Sequence, residues 1–140
     1  MSEGYPDRCV LRAAGEAYEG KQGPEYAPGV SAEATGSRGL WMGSVVIAPG
    51  GRTKAHLHEA HESAAYVVRG TLTVYHGAGL AAEPMKAKVG DFVFIPAGVP
   101  HVAVNASETE EAEAILSRTD ANEQESVVLL PELEERVPGG

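Results

Sequence analysis

Gly90-Asp91-Phe92-Val93-Phe94-Ile95-Pro96-Ala97-Gly98-Val99-Pro100-His101-Val102-Ala103-Val104-Asn105 is the stretch whose reading decides the fold. An apolar run from Phe92 to Ile95 stops at Pro96-Ala97-Gly98, and a second apolar run opens on His101. Proline fixes φ and ends strand pairing, while glycine tolerates the positive φ of a tight turn. The pattern therefore predicts two short strands, with a histidine delivered at the start of the second. Beginning 40 residues earlier stands Gly50-Gly51-Arg52-Thr53-Lys54-Ala55-His56-Leu57-His58-Glu59-Ala60-His61-Glu62, a turn followed by two histidines one residue apart. Side chains alternate faces along a strand, so His56 and His58 point the same way. Several nitrogen and oxygen donors converging in this manner suit a transition metal.

Outward from these stretches the chain keeps the same habit. Apolar runs at 41–48, 53–58, 64–69, 72–76, 92–95, 101–105 and 113–118 are separated by turn residues. With 17 glycines and 9 prolines spread along 140 residues, this reads as a sandwich or barrel of short strands in one domain. Residues 1–40 are polar and Gly-rich and read as an N-terminal arm with one or two edge strands. Residues 41–120 are the barrel. Residues 121–140 form a tail whose apolar Val127-Val128-Leu129-Leu130 packs on the barrel or on a second subunit.

The two stretches resemble the paired motifs of the cupin superfamily. Its second motif, Gly-x5-Pro-x-Gly-x2-His-x3-Asn, is matched at Gly90, Pro96, Gly98, His101 and Asn105. Its first, Gly-x5-His-x-His-x(3 or 4)-Glu-x6-Gly, is matched at Gly50, His56 and His58. Glu62 satisfies the shorter spacing, with Gly70 one residue further on than the pattern asks. The resemblance implies an all-β double-stranded β-helix, a jelly-roll barrel, with a metal held inside by His56, His58, Glu62 and His101. The fourth ligand has an alternative. Counting back from Gly70 puts Ser63 at the carboxylate position, which leaves a site of three histidines. Strand parity favours Glu62, because Ala64, Tyr66 and Val68 are apolar and share its parity, whereas Arg69 shares that of Ser63. Asn105 reads not as a ligand but as a residue that either supports the ligands from behind or stabilises a turn, and His61 as an exposed loop residue with an outer or fourth nitrogen donor as the alternative.

The resemblance further implies a divalent transition metal, Fe2+ first, with Mn2+, Ni2+, Cu2+ or Zn2+ as alternatives. It implies a metal-dependent enzyme on a small organic molecule, a dioxygenase ahead of an isomerase or decarboxylase, and a homodimer. A small-molecule-binding module or a storage protein are the non-enzymatic readings. No catalytic residue beyond the ligands is singled out. Composition adds exclusions. A net charge of −9 argues against nucleic-acid and anionic membrane surfaces, which need cationic patches. The single cysteine, Cys9, forms no internal disulfide, and the N-terminus lacks an apolar leader, so a cytoplasmic protein is expected. Gly77-Ala78-Gly79-Leu80 imitates a dinucleotide-binding turn, but Glu83-Pro84 interrupts the helix that such a turn must open.

Overall fold

The computed structural model of the chain describes residues 4–124 and 126–138. Within them β1 (Tyr18–Glu19), β2 (Glu25–Val30), β3 (Trp41–Ile47), β4 (His56–Leu57), β5 (Ser63–Arg69), β6 (Thr71–His76), β7 (Met85–Lys88), β8 (Phe92–Ile95), β9 (His101–Val104), β10 (Ala112–Arg118) and β11 (Val128–Leu129) form two antiparallel sheets. One sheet runs β1-β2-β3-β10-β5-β8 and the other β11-β4-β9-β6-β7. The chain passes repeatedly from one sheet to the other, so the inner faces enclose a common interior. This is the jelly-roll of the cupin expectation.

Period-2 patterning decides which side chains go inside. Along β10, Ala112, Ala114, Leu116 and Arg118 are buried while Glu113, Ile115 and Ser117 are only partly covered. Ile47, Leu72, Ala112 and Ala114 form one packed cluster, and Tyr26, Trp41 and Leu116 another. Small residues at the inward positions Ala65, Ala103 and Ala114 leave a cavity in the middle of the barrel. Arg118 is buried, with its guanidinium 4.1 Å from the Trp41 ring and hydrogen bonds from Nη2 to the carbonyls of Asn122 and Glu123. A desolvated cation on an indole face contributes on the order of 2 kcal/mol. It also anchors the segment that leaves β10.

The second-motif turn forms as its residues dictate. Gly90 and Gly98 adopt φ of +95° and +80°, which a side chain disfavours. Asp91 accepts the Lys88 backbone N–H at 2.9 Å, and this bond holds its carboxyl below the ordinary value. At the far end the C-terminal segment lies on the barrel. β11 pairs with β4, and Leu130 and Leu133 pack against Ala55, Leu80, Val102 and Val137.

Two elements differ from the sequence reading. The strand expected over 53–58 shortens to His56–Leu57, because the donors before it bond elsewhere: Lys54 N–H to the Gln22 carbonyl at 2.7 Å and Ala55 N–H to Glu134 Oε2 at 2.6 Å. β7, which the sequence reading lacks, is an edge strand. Only Ala87 of Met85-Lys86-Ala87-Lys88 is buried, so it shows no run of apolar residues, and its lysines are the usual guard of a sheet edge.

Candidate metal centre

β4 and β9 are neighbours, and His56 and His101 are opposite each other in register. His58 follows directly on β4 and shares the inward face with His56. The three rings lie together, with centroids 4.2 Å apart for His56 and His101 and 5.0 Å for each pair that includes His58. One ring nitrogen from each comes within 4.8 Å of the others, and all three side chains are buried. His56 Nδ1 is 2.6 Å from the Lys54 carbonyl, and His101 Nδ1 is 3.0 Å from the Val99 carbonyl. A carbonyl only accepts, so each Nδ1 carries the proton and each Nε2 offers its lone pair. This is the outer hydrogen bonding that orients imidazoles toward a metal. The donor set thus fits one divalent transition ion.

The histidine-bearing segments are braced by second-motif residues and by the C-terminal segment. Gly98 N–H donates to the His58 carbonyl at 2.6 Å, tying the second-motif turn to the first motif. The Glu134 carboxylate binds Arg52 Nη2 at 2.7 Å and the Ala55 amide at 2.6 Å, clamping the stretch that precedes His56. Asn105 is fully buried away from the ring cluster. Its Nδ2 donates to the carbonyls of Ile47, Ala48 and Glu110, and its Oδ1 accepts from Ser107 N–H. It closes the loops around the strand that carries His101, which is the turn-stabilising one of the two roles expected for it.

Among the described residues the group able to hold an ion is His56, His58 and His101, and Glu62 lies outside it. Glu62 is exposed just before β5, and its amide donates to Thr119 Oγ1 at 3.0 Å. The parity expectation is corrected here: Ser63 and Val67 are buried and line the cavity with Ala65, while Ala64, Tyr66 and Val68 face outward. The apolar residues that suggested the opposite belong to the outer surface, where the Tyr66 and Phe92 rings meet at a tilt with centroids 4.7 Å apart. Counting back from Gly70 therefore finds the inward position, and it is a serine. Glu62→Ala is expected to leave metal affinity unchanged, against the roughly 10-fold or larger loss that follows removal of even an outer partner of a metal ligand. Metal titration of the variant checks it.

His61 is not an exposed loop residue. It is buried, with its ring 4.6 Å from that of His58 and Nδ1 3.8 Å from Asp120 Oδ2. Its local sequence carries no sign of this, because Asp120 reaches it from beyond β10. His76 sits opposite His101 in register, but its Nε2 meets the Glu83 carbonyl at 2.9 Å. Gly77 to Leu80 forms a short 3₁₀ turn rather than a dinucleotide loop.

The cavity beside the three histidines has a volume of about 80 Å³ and is lined chiefly by apolar side chains of both sheets. A family model described as "Cupin domain" matches residues 43–117. An uncharacterized conserved protein with a double-stranded β-helix domain from Klebsiella pneumoniae has a similar structure, with TM-score 0.62 and 16% identity over 80% of this chain and 88% of that one. An oxalate oxidase is similar at TM-score 0.66 and 24% identity, over 79% of this chain and 57% of that one. Oxalate decarboxylase from Bacillus subtilis is similar at TM-score 0.73 and 19% identity, over 96% of this chain and 35% of that one. This chain thus spans little more than a third of the decarboxylase. No curated protein matches the sequence.

Proposed function

Because this chain belongs to the cupin family, we propose that it is a metal-dependent enzyme, binding one divalent ion, Fe2+ first, through His56, His58 and His101, and that it is a dioxygenase of a small organic molecule. The observation that carries the proposal is the serine at the fourth position. Three imidazoles take half of an octahedral sphere, which leaves room for a bidentate substrate and O2 together, where a fourth protein ligand would not. A ferrous ion there would bring Lewis acidity and reactivity toward O2. The chain itself holds the His56 and His101 rings by their outer hydrogen bonds and surrounds the substrate with apolar walls that exclude bulk water. Nitric oxide added to anaerobic ferrous-loaded protein is expected to give a high-spin paramagnetic signal, and oxygen uptake should follow with a cognate substrate.

A non-oxidative reading is supported by the likeness to oxalate decarboxylase. On that reading the metal acts as a Lewis acid in an isomerase or decarboxylase. Turnover supported by zinc or nickel, with no nitric oxide signal from the ferrous form, would replace the dioxygenase. Among the described residues no helix is long and apolar enough to cross a membrane. We place the protein in a reducing cytosol, supported by the lone exposed Cys9.

We also infer that two copies associate through the outer face of the six-stranded sheet. Phe92 is 79% exposed and Phe94 59% exposed, and Tyr66 and Val68 continue the patch on β5. An exposed patch of large apolar side chains marks an interaction surface, and one face meeting its own copy about a two-fold axis is self-complementary. The double variant Phe92→Asp/Phe94→Asp is expected to run as a monomer in light scattering at micromolar concentration, where the parent runs as a dimer. A parent that is itself monomeric there refutes the pairing.

A further inference from the structure

The wall of the barrel cavity includes Val45, Ile47, Val67, Leu72, Val93 and Ile95, and none of its described lining residues is Lys, Arg, Asp or Glu. Two of its neutral polar groups are engaged within the protein. Thr53 Oγ1 accepts from Ala103 N–H at 3.0 Å, and Gln22 Nε2 donates to the Tyr26 hydroxyl at 2.5 Å. Ser63 differs. It is 3% exposed, it lines the same cavity as the three histidines, and its Oγ has no hydrogen-bond partner among the described residues. A buried hydroxyl without a partner costs folding free energy. An alanine would close the wall as well, and Ala65 does so two residues further along the same face.

Charge narrows what meets that hydroxyl. Three neutral imidazoles leave the charge of a divalent ion uncompensated, and no carboxylate in the wall supplies the balance. The compensating charge has to arrive with the ligand. A second charge carried away from the metal-binding atoms would sit against apolar side chains with no partner, which is strongly unfavourable.

We infer that Ser63 is a substrate-positioning residue, and that the cavity takes a small anionic chelate with an apolar body. Its negative charge lies on the pair of atoms that meets the metal. A hydrogen-bonding atom beside them meets Ser63 Oγ, and hydrocarbon fills the remainder. This rests on the metal-binding reading above and is independent of whether the reaction uses O2.

The test uses the full chain loaded with cobalt(II), whose visible spectrum reports ligand binding without turnover. Two probes share one chelating head: 4-methyl-2-oxopentanoate, with a hydrocarbon body, and 2-oxoglutarate, with a remote carboxylate. The first is expected to bind at least about 10-fold more tightly, a difference of about 1.4 kcal/mol. Ser63→Ala should weaken it by roughly 10-fold, the scale of one hydrogen bond to a charged group. The same variant should keep its cobalt content and lose nothing in melting temperature, since it removes an unsatisfied hydroxyl. A merely structural serine would lower the melting temperature instead. Cobalt uptake with equal affinity for the two probes, or with tighter binding of 2-oxoglutarate, overturns the ligand class. An unchanged affinity in Ser63→Ala overturns the role of Ser63. Failure to take up cobalt at all overturns the metal reading, and this inference with it.

Discussion

His56→Ala or His101→Ala is expected to abolish stoichiometric metal, with an affinity loss of more than about 100-fold. That is beyond the range seen when only an outer partner of a ligand is removed. Each imidazole supplies one of three nitrogens, and among the described residues no further side chain belongs to the group. Glu62 is exposed, and His61 is held against Asp120, so neither takes a lost ligand's place without rebuilding the loop. Elemental analysis after expression in iron-supplemented medium should find about one ion per subunit in the parent. It should find a small fraction of that in either variant. The nitric oxide signal of the ferrous protein should vanish with the metal. Near-parental metal in both variants would remove the centre from this part of the barrel.

Asn105→Ala is expected to lower stability by about 3 kcal/mol, because it strands buried carbonyls in one step. Its Nδ2 serves the carbonyls of Ile47 at 3.1 Å, Ala48 at 3.3 Å and Glu110 at 2.7 Å. No water-exposed route is open at a side chain 1% accessible. For a chain of this size the melting temperature should fall by roughly 10 °C. Asn105→Asp should be no better, since a carboxylate facing those acceptors has no proton to give. The effect belongs to folding and not to coordination, so variant protein that is folded at low temperature should bind metal as the parent does. A calorimetric melt paired with metal titration separates the two. A variant that melts normally but loses metal would make Asn105 part of the centre.

Local chemistry gave short strands closing a sandwich or barrel and put His56 and His58 on one face, and the spacing of the two motifs, through their resemblance to cupins, added the jelly-roll and the third histidine, His101. Pro96-Ala97-Gly98 can hardly be anything but a strand-ending turn, and two histidines one residue apart share a face of any strand. Such rules act over two or three residues, so they are legible without the fold. The fourth position was a different kind of question. Glu62 and Ser63 lie on opposite faces, and which face is inside depends on what covers each side of β5. Ala64, Tyr66 and Val68 look like core, yet they form the outer face with Phe92 and Phe94, and only the pairing of β5 with β8 and β10 shows it. Burial of His61 likewise needed Asp120, and the short β4 needed Gln22 and Glu134, all of them distant in the chain. Period 2 tells a strand which residues travel together. The tertiary structure decides which of the two sets meets the interior, because burial is a property of both sheets at once.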